Sequence, residues 1–234
     1  MRPFRALLAL ALSLTPLALR AEPAPRPVVL ELFTSQGCSS CPPADSLLRQ
    51  LATQRSDILA LAFHVTYWDR LGWPDPFALP QATERQRSYV GLSHAGAIYT
   101  PQLVVDGRAD VVGSDRRAVL AAIAAAQPRA TTTLRLSEDA NGVKIDIGPT
   151  NPGGGAATGR VLLIGYDPEH RTKVTRGENA GETLVEANIV RSIDVAGTWS
   201  GPALTLTRPR PAGQHLAVLL QAPDGSYLAV ARGG

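Results

Sequence analysis

The sequence predicts a mixed fold, with an α/β half followed by a β-rich half, and two observations lead to it. Apolar runs at 28–33 and 58–65 flank a stretch whose apolar residues recur at helical spacing, which indicates a βαβ unit. From Thr131 onward, short alternating runs are separated by turn residues, which is typical of an antiparallel β-sandwich. The change of pattern divides the mature chain into an α/β domain at 22–127 and a β-rich domain at 128–234.

The first half begins with a buried strand at Val28–Phe33, followed by a helix at 45–54 in which three leucines share one face. The apolar run Ile58–Val65 predicts a second strand, which would lie parallel to the first across a right-handed crossover. A polar helix is expected next, at Gln81–Leu92.

A hairpin and a helix complete this half. After Thr100-Pro101, an apolar run leads to an Asp106-Gly107 turn, and 109–112 forms the returning strand. Asp115 suits the start of a helix at 116–126 because its carboxylate can accept hydrogen bonds from free N–H groups. The predicted element order is βαβαββα.

The only two cysteines, Cys38 and Cys41, lie where the first strand leads into the first helix. Thiols separated by two residues can close a small disulfide ring, and the positive N-terminal end of a helix stabilises a thiolate. Pro42 and Pro43 suit the first helical turn, where N–H groups have no partner. We therefore expect a redox-active pair, with Cys38 exposed and Cys41 more covered.

Two other roles for the pair stay open. The first is a purely structural disulfide, although so short a loop removes only about 2 kcal/mol of unfolded-chain entropy. The second is a zinc site, but the chain offers no second cysteine pair and only four histidines as further ligands. A redox-active disulfide needs no other cofactor, so we expect no metal and no organic cofactor.

Residues 1–21 have the features of an export signal. Arg2 and Arg5 precede an apolar stretch, and cleavage is expected near Ala21. An uncleaved anchor is the alternative, and no later run is long enough to span a bilayer. We therefore expect a periplasmic or secreted protein, with the cysteines in an oxidising compartment.

The charge balance gives no support for a nucleic acid or an anionic membrane as partner. The chain has 23 Lys and Arg against 20 Asp and Glu, and three of the arginines lie in the signal. The mature balance is therefore 20 against 20, which is neutral.

The residues after the second strand are candidates for a site beside the cysteines. Functional groups of open α/β sheets lie beyond the carboxyl ends of the strands, so His64 and Asp69 would lie near the dithiol. The same segment holds Tyr67, Trp68 and Trp73. These aromatic side chains either line a substrate groove or cap the edge of the sheet, and both interpretations stay open.

The element order, the dithiol at the first helix and Thr100-Pro101 before the third strand resemble the thioredoxin fold. The resemblance implies a cis peptide bond before Pro101, which faces the dithiol. It also implies that Thr100 is free to pair its backbone with a substrate strand beside the sulfurs.

A closer resemblance is to a family of exported bacterial thioredoxin-like proteins catalogued as a domain of unknown function, and it covers essentially the whole mature chain. It is carried by Glu31–Pro43, Tyr67–Asp69, Gly72-Trp73, Asp75–Phe77 and Tyr99–Gln102. This resemblance implies redox chemistry but no particular substrate. The family often has Asp where this chain has Thr66, so a proton shuttle here would be Asp69, His64 or water.

The second half predicts strands at Thr131–Leu136, Val143–Ile147, Val161–Tyr166, Ile189–Val195, Ala203–Leu206, Leu216–Gln221 and Tyr227–Val230. Asn141-Gly142 and Asp224-Gly225 predict hairpin turns. The polar stretch Arg176–Glu182 is either a loop held by its own contacts or a surface that docks against the dithiol face.

The leading hypothesis is an exported thiol-disulfide oxidoreductase whose substrates are thiols of proteins or small molecules. Cys38 would exchange with the substrate and Cys41 would resolve the mixed disulfide, while the substrate would lie against Thr100, Pro101, Tyr67, Trp68 and Trp73. Ser39-Ser40 between the cysteines does not set the direction of exchange. The alternatives are a non-enzymatic exported binding protein with a permanent Cys38–Cys41 disulfide and, less favoured, a copper metallochaperone that adds His64 to the two cysteines.

Overall fold

A computed structural model of the chain describes residues 26–92, 96–126, 128–151 and 157–233. The predicted export signal at 1–21 lies outside the described residues. Within these ranges, no helix is both long enough and apolar enough to cross a membrane.

The first half has the predicted element order. Its strands are β1 (Val28–Thr34), β2 (Ile58–His64), β3 (Gln102–Val105) and β4 (Ala109–Val112), and its helices are α1 (Pro42–Gln54), α2 (Pro80–Val90) and α3 (Arg116–Ala125). β1 and β2 are parallel, and β3 and β4 form the predicted hairpin. Asp115 accepts a hydrogen bond from the N–H of Ala118 at 3.0 Å, so the predicted helix cap is confirmed.

One segment predicted as a loop contains regular structure. Thr66–Leu71 forms a 3₁₀ helix that ends at Gly72, whose φ of 110° is in the left-handed region. Glycine adopts this conformation without a side-chain penalty, so it turns the chain towards Trp73. The aromatic residues of this segment are therefore held in a defined arrangement.

The second half contains β5 (Leu134–Asp139), β6 (Gly142–Ile147), β7 (Gly159–Lys173), β8 (Thr183–Trp199), β9 (Leu204–Arg208), β10 (His215–Gln221) and β11 (Tyr227–Arg232). Both predicted hairpin turns are confirmed, because β5 pairs with β6 and β10 with β11 in antiparallel fashion. β7 and β8 are much longer than their apolar runs. Their ends, up to Lys173 and from Thr183, continue the antiparallel ladder beyond these runs as one long hairpin.

The two halves share one large, mostly antiparallel sheet. In the described part of the chain, eight strands follow the order β11-β10-β7-β8-β2-β1-β3-β4, and β8 lies parallel to β2 through Ala62 and Ile189. Asn188 strengthens this junction by donating its side-chain amide to the carbonyl of Ala60 at 2.8 Å. The expectation of a separate β-sandwich was therefore too simple, because β2 needs a backbone partner on its free edge and β8 supplies it.

A second, smaller sheet gives the β-rich half a sandwich-like part. It has the order β5-β6-β9 and packs through Val143 and Ile145 against Val161, Leu163 and Val218 of the large sheet. The sandwich is thus built partly on strands of the shared sheet.

Helices cover both faces of the central strands. Leu30 of β1 packs with Leu48 of α1 and Val119 of α3 on one face, whereas Phe33 packs with Tyr89 of α2 on the other. β1 and β2 are buried along their whole length, which explains why, apart from Glu31 and the last residue of each strand, they are apolar without alternation.

A buried polar network also joins the halves. Arg85 of α2 forms a bidentate ion pair with Glu31 of β1, and the hydroxyls of Tyr89 and Tyr227 donate to the same carboxylate. Arg85 also donates to the side-chain carbonyl of Gln221 at 3.1 Å. Because Tyr227 and Gln221 belong to β11 and β10, these contacts bind α2 of the first half to strands of the second half.

Candidate dithiol site

Cys38 and Cys41 form a disulfide at the junction between β1 and α1. Cys41 directly precedes the helix, and its carbonyl accepts from the N–H of Asp45 at 3.1 Å. Pro42 and Pro43 occupy the first helical turn as predicted, where no N–H is needed. The junction therefore has the local geometry expected from the sequence.

Both cysteines are fully buried, with no exposed surface on either, whereas Ser39 and Ser40 between them are exposed. The prediction that Cys38 is exposed was wrong. The prediction was based only on the helix end, whereas side chains from two distant segments, around Thr100 and Asn179, contact Cys38.

The first of these segments brings Thr100 to Cys38. The Thr100 hydroxyl donates to Cys38 Sγ at 3.3 Å and accepts a hydrogen bond from the indole N–H of Trp68 at 2.8 Å. The Thr100–Pro101 peptide bond is cis, as the resemblance implied. Trp68 and Thr100 are 32 residues apart, and together they place a hydroxyl donor on the sulfur of Cys38.

The other predicted site residues lie around this contact, but not all of them touch it. Tyr67 packs against the core on the α2 side. The Trp73 indole donates to the side-chain carbonyl of Gln36 at 3.1 Å, and Asp69 accepts from the N–H of Asp75 at 3.1 Å. Trp73 and Asp69 therefore support the turn before Cys38 through Gln36 and Asp75.

His64 belongs to a buried cluster behind the turn. Its Nδ1 is 2.7 Å from Asp75, and its Nε2 faces Glu186 at 3.6 Å. Gln36 binds both carboxylates, because its backbone N–H donates to Asp75 at 2.8 Å and its side-chain amide donates to Glu186 at 2.6 Å. Since both ring nitrogens face carboxylates, His64 is not placed as a metal ligand beside the cysteines.

The electrostatics of this cluster favour a charged imidazole. Burial opposes the charge on His64, but the carboxylates of Asp75 and Glu186 outweigh it and raise the pKa of His64 to about 9. In turn, burial tends to raise the pKa of Asp75, but His64 outweighs it and the pKa is lowered. Burial raises the pKa of Glu186.

Asp45 adds a further carboxyl group one helical turn after Cys41. It accepts from the Thr34 hydroxyl at 2.8 Å. Burial, and then repulsion by Glu186, raise the pKa of Asp45 to about 8. Because residues four apart share one face of a helix, Asp45 and Cys41 are both directed into the interior.

The second segment that contacts the turn is the tip of the β7–β8 hairpin, residues 174–182, here called the hairpin tip. The side-chain amide of Asn179 donates to the carbonyls of Gln36 at 2.9 Å and Cys38 at 3.0 Å. The carboxylate of Glu178 accepts from the backbone N–H and the hydroxyl of Ser39 at 3.2 and 2.6 Å. Of the two interpretations of this stretch, docking against the dithiol face is the one that these contacts support.

Sequence reasoning missed Gln36, Asp45, Asp75 and Glu186 as parts of the site. Asp45 could have been found, because its spacing of four from Cys41 places both on one helix face. Glu186 has no local signal, because its position depends on the pairing of β8 with β7 and β2.

Within the described ranges, no group of three or more His, Cys, Asp or Glu side chains is arranged to hold a metal ion.

The fold and the site define a mixed α/β protein whose disulfide lies between a central strand and a helix that buries one face. The family model described as "Protein of unknown function (DUF1223)" matches residues 29–221, so the chain belongs to this family. The crystal structure of protein AGR_C_4864 from Agrobacterium tumefaciens is similar, with 30% identity and a TM-score of 0.74 over 89% of this chain and 94% of that chain.

The structure of HBP35 of Porphyromonas gingivalis is similar in fold, with 12% identity and a TM-score of 0.58 over 89% of this chain and 75% of that chain. No curated protein matches the chain significantly.

Proposed function

We propose that the protein is an exported thiol-disulfide oxidoreductase whose first half is thioredoxin-like. The observation that carries this proposal is the hydrogen bond from Thr100 to Cys38 Sγ, made at the start of α1 and directly before Pro101. A hydroxyl donor aimed at one sulfur of a disulfide stabilises negative charge on that sulfur. A purely structural crosslink has no need of such a donor.

The proposed chemistry is a two-step thiol-disulfide exchange. A substrate thiolate attacks Cys38 Sγ, so that a bond between substrate and Cys38 forms while the Cys38–Cys41 bond breaks and Cys41 leaves as a thiolate that takes up a proton. A second substrate thiolate then attacks the substrate sulfur and releases Cys38. The substrate dithiol has lost two electrons to the cysteine pair, and the reverse sequence reduces a substrate disulfide.

Its substrates would be exported proteins or small molecules that carry thiols, and its location would be the periplasm or the exterior, as the sequence of residues 1–21 suggests. Tyr67, Trp68 and Trp73 would form one wall of the substrate groove.

A permanent structural disulfide in a binding protein is the second candidate function. It is favoured by the complete burial of both cysteines. The two candidates differ in the expected reduction potential, because structural disulfides lie below about −300 mV and catalytic ones are less reducing.

The deciding experiment is to trap the mixed disulfide. Cys41→Ser should accumulate mixed disulfides with exported proteins, visible on a non-reducing gel, because Cys38 has lost the thiol that resolves them. Cys38→Ser is the matched control, because it also removes the disulfide but leaves the buried Cys41. If Cys41→Ser traps no more protein than Cys38→Ser does, and the reduction potential of the wild-type disulfide lies below about −300 mV, the disulfide is structural.

A further inference from the structure

The hairpin tip holds the turn around Cys38 from both sides. Asn179 is 6% exposed and donates to the carbonyl of Gln36, two residues before the cysteine, and to the carbonyl of Cys38 itself. Glu178 is exposed and accepts from Ser39, directly after the cysteine. These residues come from the second half of the chain, about 140 positions away from the cysteines.

The tip is itself a built structure. The N–H of Gly181 donates to the carbonyl of Val174 at 2.9 Å, and the N–H of Val174 donates to the carbonyl of Glu182 at 3.0 Å. Gly177 has a φ of 78° and approaches Trp73 so closely that a Cβ there would lie 3.0 Å from Trp73 Cβ. The tip is thus fitted against both the dithiol turn and the aromatic segment.

Glu178 has an electrostatic consequence for Cys38. When the disulfide is reduced, a thiolate on Cys38 would depend on the positive end of the α1 dipole and on the Thr100 hydroxyl. The Glu178 carboxylate accepts the neighbouring Ser39 N–H and places a negative charge one residue from that sulfur. A second negative charge nearby disfavours the thiolate.

We propose that Glu178 and Asn179 control the reactivity of Cys38. Asn179 fixes the hairpin tip against the turn that carries Cys38, and Glu178 places a carboxylate on Ser39, the residue after the sulfur that becomes a thiolate. With the tip docked, the disulfide is covered and ionisation of the Cys38 thiol is disfavoured. A partner that displaces the tip would meet an accessible Cys38 thiol with a lower pKa. This inference rests on the proposed function for its biological meaning, but not for its test.

Other charged groups contact this turn or belong to the elements that pack on it, so the test must separate the effect of Glu178 from theirs. Asp45, His64, Asp75 and Glu186 form the buried cluster on the interior side, connected to the turn through Gln36. Asp69 of the 3₁₀ helix accepts from the N–H of Asp75, and the exposed Arg70 and Arg176 belong to the 3₁₀ helix and to the tip. A substitution confined to Glu178 leaves all of these in place.

The test compares Glu178→Gln, Asn179→Ala and the control Glu182→Gln, in which another exposed carboxylate of the tip is neutralised. Glutamine at 178 can still accept from Ser39, so the tip stays docked and only the charge is lost. The pKa of Cys38 is measured in the reduced proteins by iodoacetamide labelling at graded pH with site-resolved mass spectrometry. The covering of the disulfide is measured as the rate at which dithiothreitol reduces it, while the two thiols of dithiothreitol become a disulfide.

We expect Glu178→Gln to lower the pKa of Cys38 by about half a unit to one unit at low salt. This difference should shrink in 1 M salt, where the screening length is only about 3 Å. Asn179→Ala should increase the rate of reduction by dithiothreitol several-fold, and Glu182→Gln should change neither quantity.

An unchanged pKa in Glu178→Gln, or an unchanged reduction rate in Asn179→Ala with the fold intact by circular dichroism, would overturn the proposal. Neither measurement uses a natural substrate. A failure of Cys41→Ser to trap partners would therefore count against the proposed function alone, whereas these two results count against the role of the tip.

Discussion

Replacing Asp45 by Asn should remove a large part of the pH dependence of stability. Burial and Glu186 raise the pKa of Asp45 from 3.8 to about 8 in the folded protein. Between these values the unfolded chain releases the proton and the folded protein keeps it. The free energy of unfolding therefore falls as the pH rises through this window, by 1.36 kcal/mol per pH unit for one proton.

The magnitude is best measured between pH 4.5 and 6.5, below the range in which His64, whose pKa is raised from 6.5 to about 9, contributes a similar fall. Two pH units correspond to about 3 kcal/mol for one proton. Asparagine is close in shape and keeps a carbonyl oxygen that can accept from Thr34, so the variant should lack this loss. We expect Asp45→Asn to gain about 3 kcal/mol relative to wild type as the pH rises across this window.

Urea unfolding at pH 4.5, 5.5 and 6.5, with the disulfide intact, measures this difference. Asp194→Asn, which neutralises an exposed carboxyl group on β8, is the matched control and should follow the wild-type pH dependence. If Asp45→Asn loses as much stability as the wild type between pH 4.5 and 6.5, Asp45 is already ionised in the folded protein. The argument from burial and repulsion would then be refuted.

Two further predictions concern contacts that join distant parts of the chain. Arg85→Met should destabilise the protein by about 3–5 kcal/mol in urea unfolding, because it leaves the Glu31 carboxylate buried without its cation. Arg87→Met, on the exposed side of α2, is the control and should be nearly neutral. Equal effects of the two substitutions would contradict the role of the ion pair. Trp68→Phe and Thr100→Val, measured singly and together, should give a coupling energy of about 1 kcal/mol from the indole–hydroxyl hydrogen bond, and strictly additive effects would argue against that contact.

Local patterns in the sequence determined the elements of the first half and the turns of the second. Continuous apolar runs predicted β1 and β2, because strands covered on both faces do not alternate. Asn141-Gly142 and Asp224-Gly225 predicted their hairpins because these dipeptides tolerate the backbone conformations that tight turns need. The Cys38–Cys41 spacing predicted a disulfide at the helix start, because thiols separated by only two residues can close a small ring.

What surrounds that disulfide was decided by tertiary structure. No local period shows that β8 pairs with β2, that β7 and β8 extend to Lys173 and from Thr183, or that Asn179 and Glu178 reach the turn around Cys38. The contacts of β8 with β2 and of the hairpin tip with Cys38 and Ser39 join residues more than a hundred positions apart. Such pairings depend on the register of whole strands and not on neighbouring side chains. The helix end alone predicted an exposed Cys38. The shared sheet brings the hairpin tip to the turn that carries Cys38, and the cysteine is fully buried there.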